Sequence, residues 1–325
     1  DEELAFLFAH DADPFSRWDA GQTLMMNVLL ANVARTAQGE ACSEAPLLVA
    51  ALRRILKEPD LDGEFVAACL TLPSEAYIAE QMEVIDAQSV HTASIELKAT
   101  LARALEDDLL ETYAANATNE PYRFDAHGVA RRARRNTALS LLMELGTSRV
   151  RALAADQHDT ADNMTDAMAA LTALVHWPGP ERDRVLAAFE ARWRDDSLVM
   201  DKWLAAQAAA RGSDTLARVR ELMGHAMFDL KKPNKVRALI GTFAHANPAV
   251  FHRPDGAGYD FLTDRIIELD HLNPQIAARL ANAFANWRRF PEDGKRLMEA
   301  SLERIAQSPG LSRDTHEMVT KIAEL

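Results

Sequence analysis

The chemistry open to this chain starts with its ten histidines. His316 is followed by Glu317, the only His-Glu step in the sequence. Metal-dependent peptide hydrolysis on a helix needs His-Glu-x-x-His. The i, i+4 spacing puts both imidazoles on one face, with the glutamate beside them as general base. The second histidine would stand at 320, where the chain has Thr320, so the near-match fails. His245 and His252 could share a helix face, but Asn247-Pro248 between them marks a restart. They read as ordinary packing or surface histidines. His158 lies among Asp156, Asp159 and Asp162. That turn looks metal-like, yet it reads more simply as a solvated helix end followed by a cap at Asp162 or Asn163. No Gly-x-Ser-x-Gly is present, neither Cys42 nor Cys69 has a histidine nearby in sequence, and no glycine-rich loop precedes a helix to cradle phosphate.

Arginines are the other candidates. Arg131, Arg132, Arg134 and Arg135 form the strongest charge run. On a helix they cover more than half the circumference, and in an acidic protein their expected role is pairing with carboxylates of the same chain. Arg237 follows Pro233 and Asn234, a plausible cap, which would put it in a first turn. A cation there is mildly unfavourable against the helix dipole, so it calls for a carboxylate neighbour or a ligand. Arg279 comes early in a second proline-started helix, after Asn273-Pro274. On spacing alone a structural role is the simpler one for both.

The elements that must position these residues are helices. Leu97, Leu101, Leu105 and Leu109 recur every four residues, as do Val185, Phe189 and Trp193. Starts are marked at Asp13-Pro14, Ser43 before Pro46, Ser74, Asp86, Asp214, Asn247-Pro248, Asn273-Pro274 and Ser312. Stops are marked at Gly146, Gly212, Gly224 and the Trp177-Pro178-Gly179-Pro180 turn. The pattern predicts an all-α chain of about fifteen antiparallel helices in helical hairpins, arranged as a superhelical array or α-solenoid without a strict repeat. The longer helices are expected over 88–115 and 121–145. No linker forces a cut, so residues 1–325 are expected to form one helical domain.

The bulk properties agree. The net charge is −13, which argues against nucleic acid and against anionic membrane. Two cysteines build neither a disulfide framework nor a zinc site. No apolar run is long enough to span a bilayer, and the acidic start DEELAFLFAHD is not a signal peptide. The chain begins without Met inside a helical pattern, so a processed chain or a piece of a longer one is expected.

Several segments together resemble the C-terminal helical domain of bacterial aminopeptidase N, a zinc metallopeptidase of the gluzincin class. They are 13–20 (DPFSRWDA), 134–136 (RRN), 163–167 (NMTDA), 198–203 (LVMDKW), 237–241 (RALIG), Asn247-Pro248 with Phe251-His252, Asp255-Gly256-x-Gly258-Tyr259, and Asn273-Pro274-Gln275. The match is loosest over 36–89.

The resemblance implies a superhelix of helical hairpins that covers the zinc site of a longer enzyme and lines the route taken by peptides. It implies that the zinc, the general base and the segment binding the substrate's amino terminus belong to an upstream domain. It further implies that Arg237 and Arg279 reach toward bound peptide. The expected partners are the upstream catalytic and β-sandwich domains and peptide substrates, with no nucleic acid and no membrane, in the cytoplasm. The chain itself is expected to hold no cofactor and, lacking His-Glu-x-x-His, to cleave nothing alone. A stand-alone α-solenoid that binds peptide or protein is the alternative. A third reading is an all-α enzyme built on the turn at 156–163.

Overall fold

A computed structural model describes residues 1–118 and 120–324. Among the described residues every regular element is helical and there is no strand. Among the described residues there are twenty α-helical segments, more than the fifteen or so expected, because one expected long helix breaks and several segments are only four to six residues long. The helix expected over 88–115 is two, Ala87–Ala104 and Glu106–Ala115, separated at Leu105 with φ −115° and ψ 14°. Leu105 stays buried, so the apolar stripe continues through the break. The acidic run Glu106-Asp107-Asp108 opens the new helix, where carboxylates favour the positive end of its dipole. Over 121–145 the α-helix is Ala126–Leu142, capped by Asp125 and closed by a 3-10 turn onto Gly146. No helix among the described residues is long and apolar enough to cross a membrane.

The chain forms two compact units, one of residues 1–78 and 89–185 and the other of 79–88 and 186–325. In the first, Glu2–His10 packs on Pro14–Ala37, Gly63–Leu70 and Glu106–Ala115 pack on Ala126–Leu142, and Ser148–Thr160 packs on Met164–Leu174. Asp13 caps its helix by accepting from the Ser16 amide, as the Asp-Pro step predicts. Arg17, one turn later, is buried. It donates to Phe8 O at 2.9 Å and Ala9 O at 3.1 Å and pairs with Glu58 at 2.8 Å. The guanidinium thus satisfies the carbonyls at the end of the first helix, which have no partner within it. A second polar knot joins two of the singled-out segments. Asn136 donates to the buried Asp166 at 2.8 Å, and Gln157 donates to Asn136 at 2.7 Å. Asn163, rather than Asp162, caps the Asp166 helix.

In the second unit, Ala257–Asp270 packs against Pro274–Ala281 and Glu292–Ala306, and Pro274–Ala281 packs against Arg313–Glu324. The short segment 79–88 is held there by Arg289, whose guanidinium donates to Ala79 O at 3.0 Å and to Met82 O. The Ile85 amide returns a bond to Arg289 O at 2.6 Å, and Gln88 donates to Ala249 O at 2.8 Å.

Candidate functional site

The stretch carrying Arg237 is one helical rod with an unusual middle. Pro233–Val236 is α-helical, Arg237–Gly241 winds as a π-helix and Thr242–Ala246 is α-helical again. π-Turns are rare and concentrate at functional positions. The helix starts at Pro233 with Lys232 as its cap residue, so Asn234 is not the cap and Arg237 lies past the first turn. The expected clash with the dipole is correspondingly weaker.

Arg237 is exposed. Its guanidinium bends back over its own first turn, with Nε donating to Pro233 O at 3.4 Å and Nη2 donating to Asn234 Oδ1. No carboxylate among the described residues pairs with it. Gly241, at the end of the π-turn, lies near the side chain of Leu280 in the helix Pro274–Ala281. A Cβ at Gly241 would lie 3.9 Å from Arg237 Cβ and 3.9 Å from Leu280 Cδ2. Arg279, beside Leu280, is exposed and has no recorded partner among the described residues. Its helix is capped by Asn273, which accepts from the Ile276 amide. Arg279 lies in the last turn of that helix rather than early in it, where a cation is favourable. Both arginines are exposed, and among the described residues neither pairs with a carboxylate.

What holds this region still was not visible in the sequence. Lys235 is buried and reaches the helix Ser197–Ala208, where Nζ lies 2.7 Å from Asp201 and donates to Ser197 O at 2.8 Å. Asn247, expected as a cap for the following helix, makes no side-chain cap bond. Its buried amide instead donates to Ala208 O at 2.9 Å and Ala210 O at 2.7 Å, the carbonyl end of that same helix. One helix is thus gripped at both ends by residues flanking the π-turn. The only hint in sequence was that segments 198–203 and 237–241 both stood out.

Phe243, in the last part of the rod, belongs to an aromatic core. Phe243, Phe251, Tyr259, Phe261 and Phe284 meet mostly edge to face, with centroids 5.3 to 6.1 Å apart. His252 stacks on Phe290 at 4.3 Å and its Nδ1 is 2.9 Å from the Tyr259 hydroxyl. The turn 255–259 is therefore built into the core. Burial pushes the His252 imidazole down to about 3 and raises the Tyr259 phenol above its ordinary value.

This has a consequence for stability. His252 stays neutral in the folded chain while the unfolded chain takes up a proton below its ordinary value of about 6.5. Stability from this group is complete above that value and is lost as pH falls toward about 3. Denaturant unfolding should show up to about 1.4 kcal/mol less stability per pH unit between these limits from this one group. His252→Phe should remove that component of the slope, and an unchanged slope would show that His252 titrates normally.

The remaining candidates resolve into structure. His158 is buried, with Nδ1 3.4 Å from Asp159, and Asp159 pairs with Arg184 at 2.8 Å. Among the described residues no three of His, Cys, Asp and Glu converge as a metal site. His316 and Glu317 are both exposed. The arginine run is intramolecular as expected, but among the described residues none of the four forms an ion pair at salt-bridge distance, and their contacts are mostly ring faces and carbonyls. Arg132 lies over the Tyr122 ring at 4.7 Å, Arg134 donates to Leu61 O, and Arg135 lies over Tyr113 at 4.7 Å. Aromatic faces and carbonyls suit the flat, weakly hydrated guanidinium. Cys42 and Cys69 are free, and burial pushes the Cys69 thiol up to about 12.

Comparison with known proteins adds a context for this site. Residues 1–324 match the family described as "Domain of unknown function (DUF3458_C) ARM repeats". Stacked helical repeats of this kind form a superhelical array. The chain is 38% identical to aminopeptidase N of Escherichia coli (strain K12) over 99% of its own length and 37% of that protein's. It is 37% identical to aminopeptidase N of Haemophilus influenzae, over 98% and 36%. The crystal structure of Legionella pneumophila aminopeptidase A in complex with aspartic acid aligns with a TM-score of 0.88 at 26% identity, covering 99% of this chain and 38% of that one. The chain thus spans a little over one third of the length of each of these relatives, and it is homologous to their C-terminal part.

Proposed function

Because the chain belongs to the DUF3458_C family of ARM repeats, we propose that it works as a single C-terminal helical domain of a cytoplasmic zinc aminopeptidase, covering the active site and lining the passage by which peptides reach it. Within it, Arg237 and Arg279 are the groups that meet the substrate. The observation that carries this reading is their shared state. Both are exposed, and neither has a carboxylate partner among the described residues. In a chain of net charge −13, a guanidinium left without a carboxylate costs attraction that neighbours could have supplied. A rigid guanidinium fork suits a peptide's terminal carboxylate or its backbone carbonyls.

The zinc and its general base would come from another part of the enzyme. Thr320 stands where His-Glu-x-x-His needs its second histidine, so on this reading the hydrolytic step falls to residues outside this stretch of the enzyme. The work of Arg237 and Arg279 is to bind and orient the downstream end of the substrate.

In the longer enzyme, Arg237→Ala and Arg279→Ala should each raise KM for tripeptides about tenfold, the loss of one charge-assisted contact. A single-residue anilide, which has no downstream end to hold, should keep its KM. Unchanged kinetics on both substrates would make the two arginines structural.

A further inference from the structure

We infer that Asn234 is a positioning residue for Arg237: its amide oxygen sets the guanidinium in the orientation that meets the peptide. The inference rests on the reading of Arg237 given above. Asn234 stands at a helix start but does not serve as its cap. Its Oδ1 accepts from Arg237 Nη2, while Pro233 O lies 3.4 Å from Nε of the same group. Nε and Nη2 form one edge of the guanidinium plane, so the helix's own first turn occupies that edge. Nη1 and the outer hydrogen of Nη2 remain to form the end-on fork that a carboxylate or carbonyl pair accepts.

The base beneath Asn234 is fixed. Pro233 sits at the first helical position, where its ring sets the backbone angle. The next residue but one, Lys235, is locked to Asp201 and Ser197 O. Asn234 therefore presents its oxygen from a rigid turn. A neutral acceptor also has an advantage over a carboxylate here, since it orients the arginine without discharging it. A long side chain held before the ligand arrives does not lose its rotamer freedom on binding, which is how preorganisation raises affinity.

The test is a double-mutant cycle in the longer enzyme, with tripeptide and single-residue anilide as the two substrates. Asn234→Ala should raise tripeptide KM about fivefold, the effect of freeing one rotamer-rich side chain. It should leave kcat, the anilide KM and the melting temperature unchanged. In the Arg237→Ala background it should add nothing, because the residue acts only through Arg237. A full, additive effect of Asn234→Ala in that background would overturn the inference, as would no effect of Asn234→Ala beside a clear effect of Arg237→Ala. The second outcome leaves the peptide-facing role of Arg237 standing. No effect of Arg237→Ala itself removes both.

Discussion

Lys235→Met is expected to lower the unfolding free energy by about 3 kcal/mol. The Lys235 side chain is 3% exposed and that of Asp201 is 18% exposed, so the pair is held largely out of water. Truncation removes the cation but leaves the carboxylate and the Ser197 carbonyl in place, each without its donor. The cost is set by that stranded charge more than by the lost attraction. The partial exposure of Asp201 keeps the figure at the lower end of what broken buried pairs show. Removing both charges tells the two contributions apart. Lys235→Met combined with Asp201→Leu should recover most of the loss, because an apolar pair of similar volume strands nothing. Denaturant unfolding at neutral pH measures all three proteins. A single variant as stable as the parent would mean that the ion pair does not anchor the π-turn.

Gly258→Ala should cost a similar amount or more, ~3 kcal/mol, for a steric reason. A Cβ at this position would lie 2.3 Å from Phe251 O and 2.9 Å from Phe251 C and Cα. Those are backbone atoms, and no rotamer change can relieve the contact. Nor can Phe251 move aside easily, since its ring is fully buried against Phe243, Tyr259 and Phe284. Gly294 offers an internal control in the helix Glu292–Ala306. Its nearest neighbour to an added Cβ is Phe290 Cβ at 3.7 Å, an ordinary contact. There alanine should be neutral or stabilise by roughly 0.5–1 kcal/mol. Melting temperatures that move in opposite directions for the two variants would bear out the steric argument. Equal shifts would sink it.

The contrast between local and distant partners explains what could be read from sequence. Asp13 and Asn273 were legible as caps, and Asn163 as one of two candidates, because the amides they accept from lie three residues ahead. Asn247 carries the same Asn-Pro signal, yet its amide serves carbonyls 37 and 39 residues back. Nothing in the local pattern distinguishes the two uses. Lys235 reads as a surface residue in any helix, and only the approach of Asp201 from another helix makes burial tolerable. The arginine run was legible as intramolecular. Its partners were not, because Tyr113, Tyr122 and Leu61 come from three separate places in the chain. For the candidate site, the sequence singled out Arg237 and Arg279 by resemblance. The π-turn was not legible there because it departs from the regular helical period, and the Asn234–Arg237 contact, though only three residues apart, was hidden by reading Asn234 as a cap.

The segment 79–88 raises a matter of timing. Its anchor, the bond from Arg289 to Met82 O, joins residues 207 positions apart. A ribosome adding about 5–20 residues per second needs roughly 10–40 s to cover that distance. Throughout that interval the residues on either side can settle into the first unit, while the segment between them waits for a neighbour not yet made. The second unit therefore cannot be completed during synthesis until its last third has emerged. A chain cut at residue 186 would deliver that unit without its earliest-made part.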